Sequence, residues 1–141
     1  MLIINHTHLY QKNRLDFSHE WNQAISQWEA LTQPLRGKRI VVSHNNWVYL
    51  EQWLGLEKVV TLEPKPGIPP SSSHLSKVLA QLKQSPADMI LHADYQDDKS
   101  ARWLSQKTGL PVIGLPFSVS DKESLTQWFD RLLNQLLSND S

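Results

Sequence analysis

The chain has 141 residues, a length that fits one domain of ordinary size with a single hydrophobic core. Fourteen Lys and Arg residues balance fourteen Asp and Glu residues, so no basic surface is expected that would bind nucleic acid, an anionic membrane or a polyanionic substrate. The absence of cysteine excludes disulfides, thiolate metal ligands and cysteine nucleophiles, so a transition metal would have to be bound by imidazole and oxygen.

The first fourteen residues, "MLIINHTHLYQKNR", are expected to form an N-terminal tail or the start of a helix. Their opening apolar run is far shorter than the ~7 to 15 residues of a signal-peptide core or the ~20 residues of a membrane span. We therefore expect no export signal in this chain. His6 and His8 could bind a metal loosely, but the favoured interpretation is a solvated tail.

Residues 15–141 are expected to form a single α/β domain that opens with a long helix. Apolar residues recur every three or four positions between about Leu15 and Leu35, which predicts the buried stripe of that helix. The stripe consists of Phe17, Trp21, Ile25, Trp28, Leu31 and Leu35. Gly37 lies beyond it and predicts its end.

Four short apolar and β-branched runs predict strands that are buried on both faces, as in a parallel sheet. They are residues 39–43, 58–62, 88–92 and 111–115. Helices are predicted near residues 46–54, after a cap at Ser72 or Ser73, and over Lys99–Thr108. The predicted fold is α/β, with a parallel sheet of about four strands flanked by helices and preceded by the long N-terminal helix.

A last helix is predicted after a Ser-x-x-Glu capping box at Ser120 and Glu123, because this pattern satisfies free amides at a helix start. Its apolar positions recur at helical spacing and are expected to face the core. They are Leu125, Trp128, Phe129, Leu132, Leu133 and Leu136.

Two predicted strands end at histidines, His44 after the first and His92 at the end of the third. Parallel sheets bind ligands beyond the carboxyl ends of their strands, and imidazole is a common zinc ligand. Two converging histidines would form half of a metal site, although a single histidine in such a place is more often a structural hydrogen-bonding group. His19 and His74 have no partner at useful spacing and are predicted to be surface residues.

The acidic residues near these strand ends have two interpretations. Asp94, Asp97 and Asp98 could complete a coordination shell or orient a ligating imidazole. Asp97 or Asp98 also stands where a helix N-cap or first-turn acid belongs, and this interpretation is favoured. Asp121 is in the same position, because it follows the predicted capping residue of the last helix.

Signature motifs of several enzyme classes are missing from the sequence. It contains no Gly-x-Gly-x-x-Gly, no Gly-x-x-x-x-Gly-Lys-Ser/Thr, no Gly-x-Ser-x-Gly and no His-Glu-x-x-His. A small enzyme that uses His44 as a general base would need an acidic orienting group and a nucleophile nearby, and the sequence reveals neither. We therefore expect no enzymatic activity.

Three stretches of the chain resemble a known family. "PLRGKRIVVSHNNWVYLEQWLGLEKVVTLEPKPGIPPSSSHLSKVLAQLK", "WLSQKTGLPVIGLPFSVS" and "LTQWFDRLLNQLL" are similar to the C-terminal half of solute-binding proteins of zinc- and manganese-type ABC transporters. The resemblance runs from about Tyr10 to Leu137, and "LEPKPGIPPS" is its most specific part. It implies two α/β lobes joined by a rigid helix, with the ion held in the cleft by three histidines and a carboxylate.

The resemblance implies a ligand role for His44, because "SHNNW" stands where the family has a motif like Tyr-His-Asp-x-Trp. His92 is a further candidate ligand, and Asp121 is the implied substitute for the carboxylate of the family's last-strand loop. Asn45 replaces the acid that commonly follows the ligand histidine, which should weaken the site. The helix near residues 15–35 resembles the helix that connects the lobes.

A full family member is about twice as long and carries an export signal, so the resemblance covers one lobe. The resemblance therefore implies that this chain is a fragment, an altered gene product or a lobe made alone. The implied function is capture of zinc, or of manganese, for the permease of an ABC transporter in the periplasm, with weak binding because half the ligands are missing. The exposed face would favour a homodimer. The alternative is an interaction or self-association module that binds no metal.

Overall fold

The computed structural model describes residues 2–138, apart from the side chains of residues 2–8 and 10. The prediction for His6 and His8 therefore lies outside the described side chains. The chain divides into two compact units, Met1–Leu31 and Thr32–Ser141. None of the helices in the described part of the chain has the length and apolar character needed to cross a membrane.

The first unit is one helix, α1 (Leu2–Leu31), which begins earlier than the apolar stripe suggested and ends earlier as well. A short 3-10 turn over Gln33–Leu35 follows, and its Pro34 cannot continue an α-helix because it lacks the amide hydrogen. Within α1 the Phe17 and Trp21 rings stack with centroids 6.1 Å apart. The predicted stripe is not buried throughout, since the exposed fractions of Phe17 and Leu31 are 57% and 58%.

Over residues 32–138, the described part of the second unit, four strands alternate with four α-helices, which confirms the predicted α/β fold. The strands are β1 (Arg39–Val42), β2 (Glu57–Thr61), β3 (Met89–Ala93) and β4 (Val112–Leu115). The helices are α2 (Val48–Leu54), α3 (Ser72–Gln84), α4 (Lys99–Thr108) and α5 (Leu125–Ser138). The strands are parallel in the order β2-β1-β3-β4, so β1 and β3 lie at the centre.

The hydrophobic core lies against both faces of the sheet, because the side chains of the central strands are buried on both sides. Val41 and Ile90 pair across β1 and β3 and belong to a cluster with residues of α3 and α4. Alternate strand residues such as Ile40 point to the opposite face and are equally buried. α5 packs against β4 through a stripe of leucines that includes Leu132 and Leu136. The carboxyl ends of all four strands consequently meet at one edge of the sheet.

Two predicted helix starts are displaced in the structure. The cap of α3 is Ser71 rather than Ser72 or Ser73, because the Ser71 hydroxyl accepts the His74 amide at 3.1 Å. The last helix begins after Ser124, whose side chain accepts the Gln127 amide at 3.2 Å while Gln127 Oε1 accepts the Ser124 amide at 2.8 Å.

The Ser-x-x-Gln sequence at 124–127 is therefore the capping box of α5. At the predicted box, the Glu123 carboxylate does accept the Ser120 amide, at 3.1 Å, but it is also bound by Arg131. These contacts lie in the loop before the helix. Leu125, predicted to face the core, has an exposed fraction of 42% because it is the first residue of the displaced helix.

Candidate metal centre

His44 lies at the carboxyl edge of the sheet, just beyond β1. The hydrogen bonding of the sheet continues one residue beyond β1, through Ser43. The Ser43 amide donates to the Leu91 carbonyl at 2.9 Å, and the Ser43 carbonyl accepts a hydrogen bond from the Glu63 amide at 3.1 Å. The residue after Ser43 therefore emerges between the ends of β2 and β3. Glu63 follows β2 in the same way, so the parallel pairing of β1 with β2 brings the two side chains together.

The imidazole of His44 is bound to the carboxylate of Glu63. His44 Nδ1 lies 2.5 Å from Glu63 Oε2, and the exposed fractions of the two side chains are 35% and 11%. The other oxygen, Glu63 Oε1, accepts the Gly67 amide at 2.6 Å. Gly67 has a φ of 80°, a conformation that suits glycine, so the proline-rich loop turns its backbone amide onto the carboxylate. Both oxygens of Glu63 are thereby engaged, and the imidazole is fixed through its Nδ1 atom.

An open cavity of about 440 Å³ lies beside this pair. His44 and Glu63 line it together with Ile68 of the proline-rich loop and with Tyr95 and Asp97, which follow β3. The same two side chains also line an adjoining cavity that extends to Asn45. The His44 ring thus borders open space at the carboxyl edge, in the place where parallel sheets bind ligands.

The second predicted ligand, His92, is placed differently. It lies within β3 rather than beyond it, and its exposed fraction is 8%. Its Nδ1 atom lies 2.9 Å from the Ala93 carbonyl oxygen, and its ring sits against Gly114 of β4. His92 is not among the described residues that line either cavity beside His44. The structure gives it the surroundings of a structural histidine.

The predicted carboxylates do not converge on His44 either. Asp121 lies exposed in the turn before α5 and is not among the described residues lining the two cavities. Asp97 is one of the residues that line the first cavity, but its Oδ1 accepts the Lys99 amide at 3.0 Å, and Asp98 pairs with Arg102 at 2.5 Å. Asp97 thus binds an amide at the start of α4, as the favoured interpretation predicted. The side chain of Asp98, the N-cap residue, makes no capping hydrogen bond and is engaged by Arg102 instead.

Within residues 2–138, as far as their side chains are described, no group of three or more His, Asp or Glu is arranged to hold a metal ion. The arrangement at the edge of the sheet is one imidazole supported by one carboxylate. It can supply a single nitrogen ligand to an ion, with further ligands required from elsewhere.

Glu63 is the site residue that sequence reasoning missed. From the sequence, His44 was expected to lack an acidic partner, because Asn45 replaces the acid that commonly follows it. In the structure Asn45 accepts a hydrogen bond from Lys58 Nζ at 2.6 Å. The carboxylate on the imidazole comes from the end of the neighbouring strand. The signal was present in the sequence, because Glu63 follows a predicted strand as His44 does and opens the distinctive "LEPKPGIPPS" loop.

Comparisons with known proteins found a matching family model and similar solved structures. The family model described as "ZnuA: Zinc-uptake complex component A periplasmic" matches residues 4–138. A crystal structure of ZnuA is 20% identical with a TM-score of 0.73, and the match covers 94% of this chain and 48% of that one. No curated protein sequence matches.

Two further solved structures are similar. The solute-binding protein FpvC from Pseudomonas aeruginosa in complex with Mn²⁺ is 21% identical with a TM-score of 0.72, and the match covers 92% of this chain and 50% of that one. The laminin-binding adhesin Lmb from Streptococcus agalactiae is 23% identical with a TM-score of 0.67, and the match covers 92% and 49%. The chain therefore spans about half the length of these structures.

Proposed function

Because the chain belongs to the family of periplasmic zinc-uptake complex component A proteins, we propose that it acts as a metal-ion solute-binding component, or as one lobe of such a component, of an ABC uptake transporter. The single observation that carries this proposal is the imidazole of His44 at the open edge of the sheet, held through Nδ1 by Glu63. The ion is cargo that is captured and handed to a membrane permease, so no catalytic step is involved.

The chemistry of the pair suits metal capture. A ligating histidine usually donates its second ring N–H to a carboxylate, which fixes the tautomer and raises the basicity of the other nitrogen. With Nδ1 donating to Glu63, the atom left to bind an ion is Nε2. Nitrogen ligation favours zinc over manganese, so zinc is the proposed ion and manganese the alternative.

The proposed site needs more ligands than His44. His92 and Asp121 could join it only after a rearrangement, since His92 is buried within β3 and Asp121 lies in the turn before α5. The solved structures are about twice as long as this chain. A second lobe, of the kind that the family resemblance implies, is therefore the more direct source of further ligands. Zinc binding by this chain alone is accordingly proposed to be weak.

Zinc titration of the purified chain tests the proposal. The experiment uses a His6→Ala/His8→Ala background, so that the N-terminal pair does not contribute, and measures affinity by competition with a chromogenic chelator. We expect one weak site that His44→Ala abolishes and that Glu63→Gln weakens by about 10- to 100-fold. His19→Ala on α1 is the matched control and should leave the affinity unchanged. An affinity that survives in His44→Ala would overturn the proposal.

A second candidate function is an interaction or self-association module that binds no metal. It is favoured by one observation, that the described side chains do not assemble three metal-binding groups. Homodimer formation belongs to this alternative. This alternative would be supported over metal capture if neither the parent nor the His44→Ala variant binds zinc and if the sedimentation coefficient depends on protein concentration.

A further inference from the structure

The proline-rich loop (residues 63–70) contains a turn whose shape follows from its sequence. Residues 65–68 read Lys-Pro-Gly-Ile, and the Ile68 amide donates to the Lys65 carbonyl at 3.0 Å, which closes a four-residue turn. Proline stands at the second position and Gly67 at the third, where its φ is 80°. This combination is that of a type II turn, which needs a positive φ at its third residue and therefore favours glycine there.

The type of this turn decides which backbone group faces the carboxylate of Glu63. Turns of types I and II differ by a flip of the central peptide, here the one between Pro66 and Gly67. In the observed turn the N–H of that peptide donates to Glu63 Oε1 at 2.6 Å. A flip would turn the Pro66 carbonyl oxygen toward the same side, and a carbonyl oxygen cannot donate to a carboxylate. Glycine at position 67 therefore keeps a donor beside Glu63.

This donor completes the support of the His44 imidazole. The second oxygen of the carboxylate, Glu63 Oε2, lies 2.5 Å from His44 Nδ1. A carboxylate with both oxygens bound has one orientation, whereas a carboxylate bound by the imidazole alone could turn with the ring. Hydrogen bonds to an ionised acceptor are also stronger than neutral ones. A continuous chain of contacts thus runs from the turn to the imidazole that borders the open cavity.

We propose that Gly67 is a positioning residue of the metal site: its backbone amide holds Glu63, and Glu63 holds the imidazole of His44 so that Nε2 is left for the ion. The inference rests on the proposed function, because it concerns the zinc affinity of the same site. It gives the turn a role in metal capture, since the tautomer and the direction of the ligand are fixed before the ion arrives.

Gly67→Ala tests the inference without introducing a clash, because a Cβ at Gly67 would meet no heavy atom within 4 Å outside the adjacent residues. Alanine disfavours the left-handed region by a factor of about five to thirty, so the turn should shift toward type I. In the His6→Ala/His8→Ala background, we expect zinc affinity to fall about three- to tenfold, which is less than in Glu63→Gln. Competition with a chromogenic chelator measures the affinity.

Two further variants separate turn geometry from other effects. Gly67→Asn adds a larger side chain than alanine, but asparagine tolerates a positive φ, so the affinity should stay within about threefold of the parent. Gly109→Ala places alanine at a φ of 77°, also in open space, at the end of α4. Gly109 is not among the described residues that line either cavity beside His44, so this variant should lose stability and keep its zinc affinity.

A second readout needs no metal. Because Nδ1 of His44 donates to Glu63, the ¹⁵N imidazole spectrum of the parent at alkaline pH should show the Nδ1–H tautomer of His44. Gly67→Ala should shift this spectrum toward a mixture of the two tautomers, and Gly109→Ala should not. A glycine that served only the folding of the loop would leave the tautomer unchanged. Amide spectra of each variant establish that it is folded.

Several outcomes would overturn the inference. Unchanged zinc affinity in Gly67→Ala, with a parent that binds zinc, would show that the turn does not position the ligand. Equal weakening in Gly109→Ala would assign the effect to lost stability, and equal weakening in Gly67→Asn would assign it to the added side chain. If the parent itself binds no zinc, the proposed function fails, and the imidazole spectrum alone decides whether Gly67 orients His44.

Discussion

His92 shows how one buried side chain restricts the residue beside it in the sheet. It pairs with Gly114 in the register of β3 and β4, and its ring fills the space that a side chain on β4 would need. A Cβ at Gly114 would lie 3.2 Å from both Cε1 and Nε2 of His92. The ring cannot retreat easily, because it is buried and its Nδ1 atom is in hydrogen-bond contact with the Ala93 carbonyl.

Gly114→Ala is therefore expected to destabilise the protein by about 1 to 3 kcal/mol through overpacking. Alanine in a strand would otherwise be neutral or favourable relative to glycine. The measurement is the free energy of unfolding in urea. The control is the same substitution in a His92→Ala background, where we expect the penalty to disappear. A penalty of equal size in both backgrounds would show that the ring is not its cause.

Glu51 of α2 is a buried carboxyl group with one oxygen unpaired. Its exposed fraction is 8%, and its Oε2 atom has no hydrogen-bond partner. Burial raises the pKa of this carboxyl group, and the nearby positive charge of Lys58 offsets part of that rise. The folded protein consequently holds the Glu51 proton more strongly than the unfolded chain does. The contribution of the Glu51 carboxyl group to folding stability is lost as pH rises above the ordinary glutamate pKa of about 4.3.

Glu51→Gln removes the ionisable group and should stabilise the protein at pH 7, by no more than about 1 kcal/mol because Lys58 already compensates in part. The gain should shrink as pH falls through the raised pKa of Glu51 toward the ordinary value. Urea unfolding of parent and variant at several pH values measures the difference. Glu20→Gln, an exposed position on α1, is the control and should have little effect. A variant less stable than the parent at pH 7 would contradict this account.

At the scale of elements, the position of α5 is set by its capping residues rather than by its apolar repeat. Ser124 and Gln127 exchange hydrogen bonds and satisfy amides at the start of the helix. Glu123 lies just before the helix and binds Arg131 at 2.6 Å, an arrangement that holds the pKa of Glu123 below its usual range. The loop that carries Phe117 and Asp121 is thereby tied to α5.

Ser124→Ala should destabilise the protein by about 1 kcal/mol, the usual cost of losing a helix cap. Ser120→Ala tests the alternative start of the helix and should change stability by less than about 0.5 kcal/mol, because Ser120 is exposed and lies outside the helix. Thermal and urea unfolding of both variants compare the two serines directly. The opposite ranking would place the functional cap at Ser120.

At the scale of the whole molecule, the two units differ in how their backbones are covered. Residues 11–20 of α1 are exposed throughout, whereas β1 and β3 are central strands with almost wholly buried side chains. Free energies of local opening depend on such burial, since an amide in an exposed helix needs only local unfolding to exchange. The hydrogen bonds of the central strands break only when the second unit opens more widely.

Hydrogen–deuterium exchange followed by mass spectrometry should therefore show fast exchange for peptides from residues 11–20 and slow exchange for peptides covering β1 and β3. We expect the protection factors to differ by at least about 100-fold, corresponding to 2.7 kcal/mol or more of opening free energy. Peptides from α4 provide an internal reference of intermediate burial. Equal protection in α1 and β3 would contradict the division of stability between the units.

The elements of the second unit followed from sequence because each carries a local signal. Continuous β-branched runs predicted the strands, and the bounds of α4 at Lys99–Thr108 were predicted without error. Helix caps were less predictable, because serines occur at 71, 72 and 73 and again at 120 and 124. Only the direction in which the chain enters each helix decides which serine caps it. The length of α1 was underestimated because its first half lacks a regular apolar stripe.

The place of His44 at the sheet edge was predicted from sequence, because a position just after a buried strand depends only on local pattern and on the geometry common to parallel sheets. Its ligand role was implied by the family resemblance and stays a prediction. The sequence by itself thus determined the family, the α/β class and the ligand candidate at the sheet edge. Tertiary structure alone decided that Glu63 binds His44, that His92 packs against Gly114, and that Asp121 remains apart. The reason is physical: such contacts join residues far apart in the chain, and strand order and register bring them within hydrogen-bonding distance.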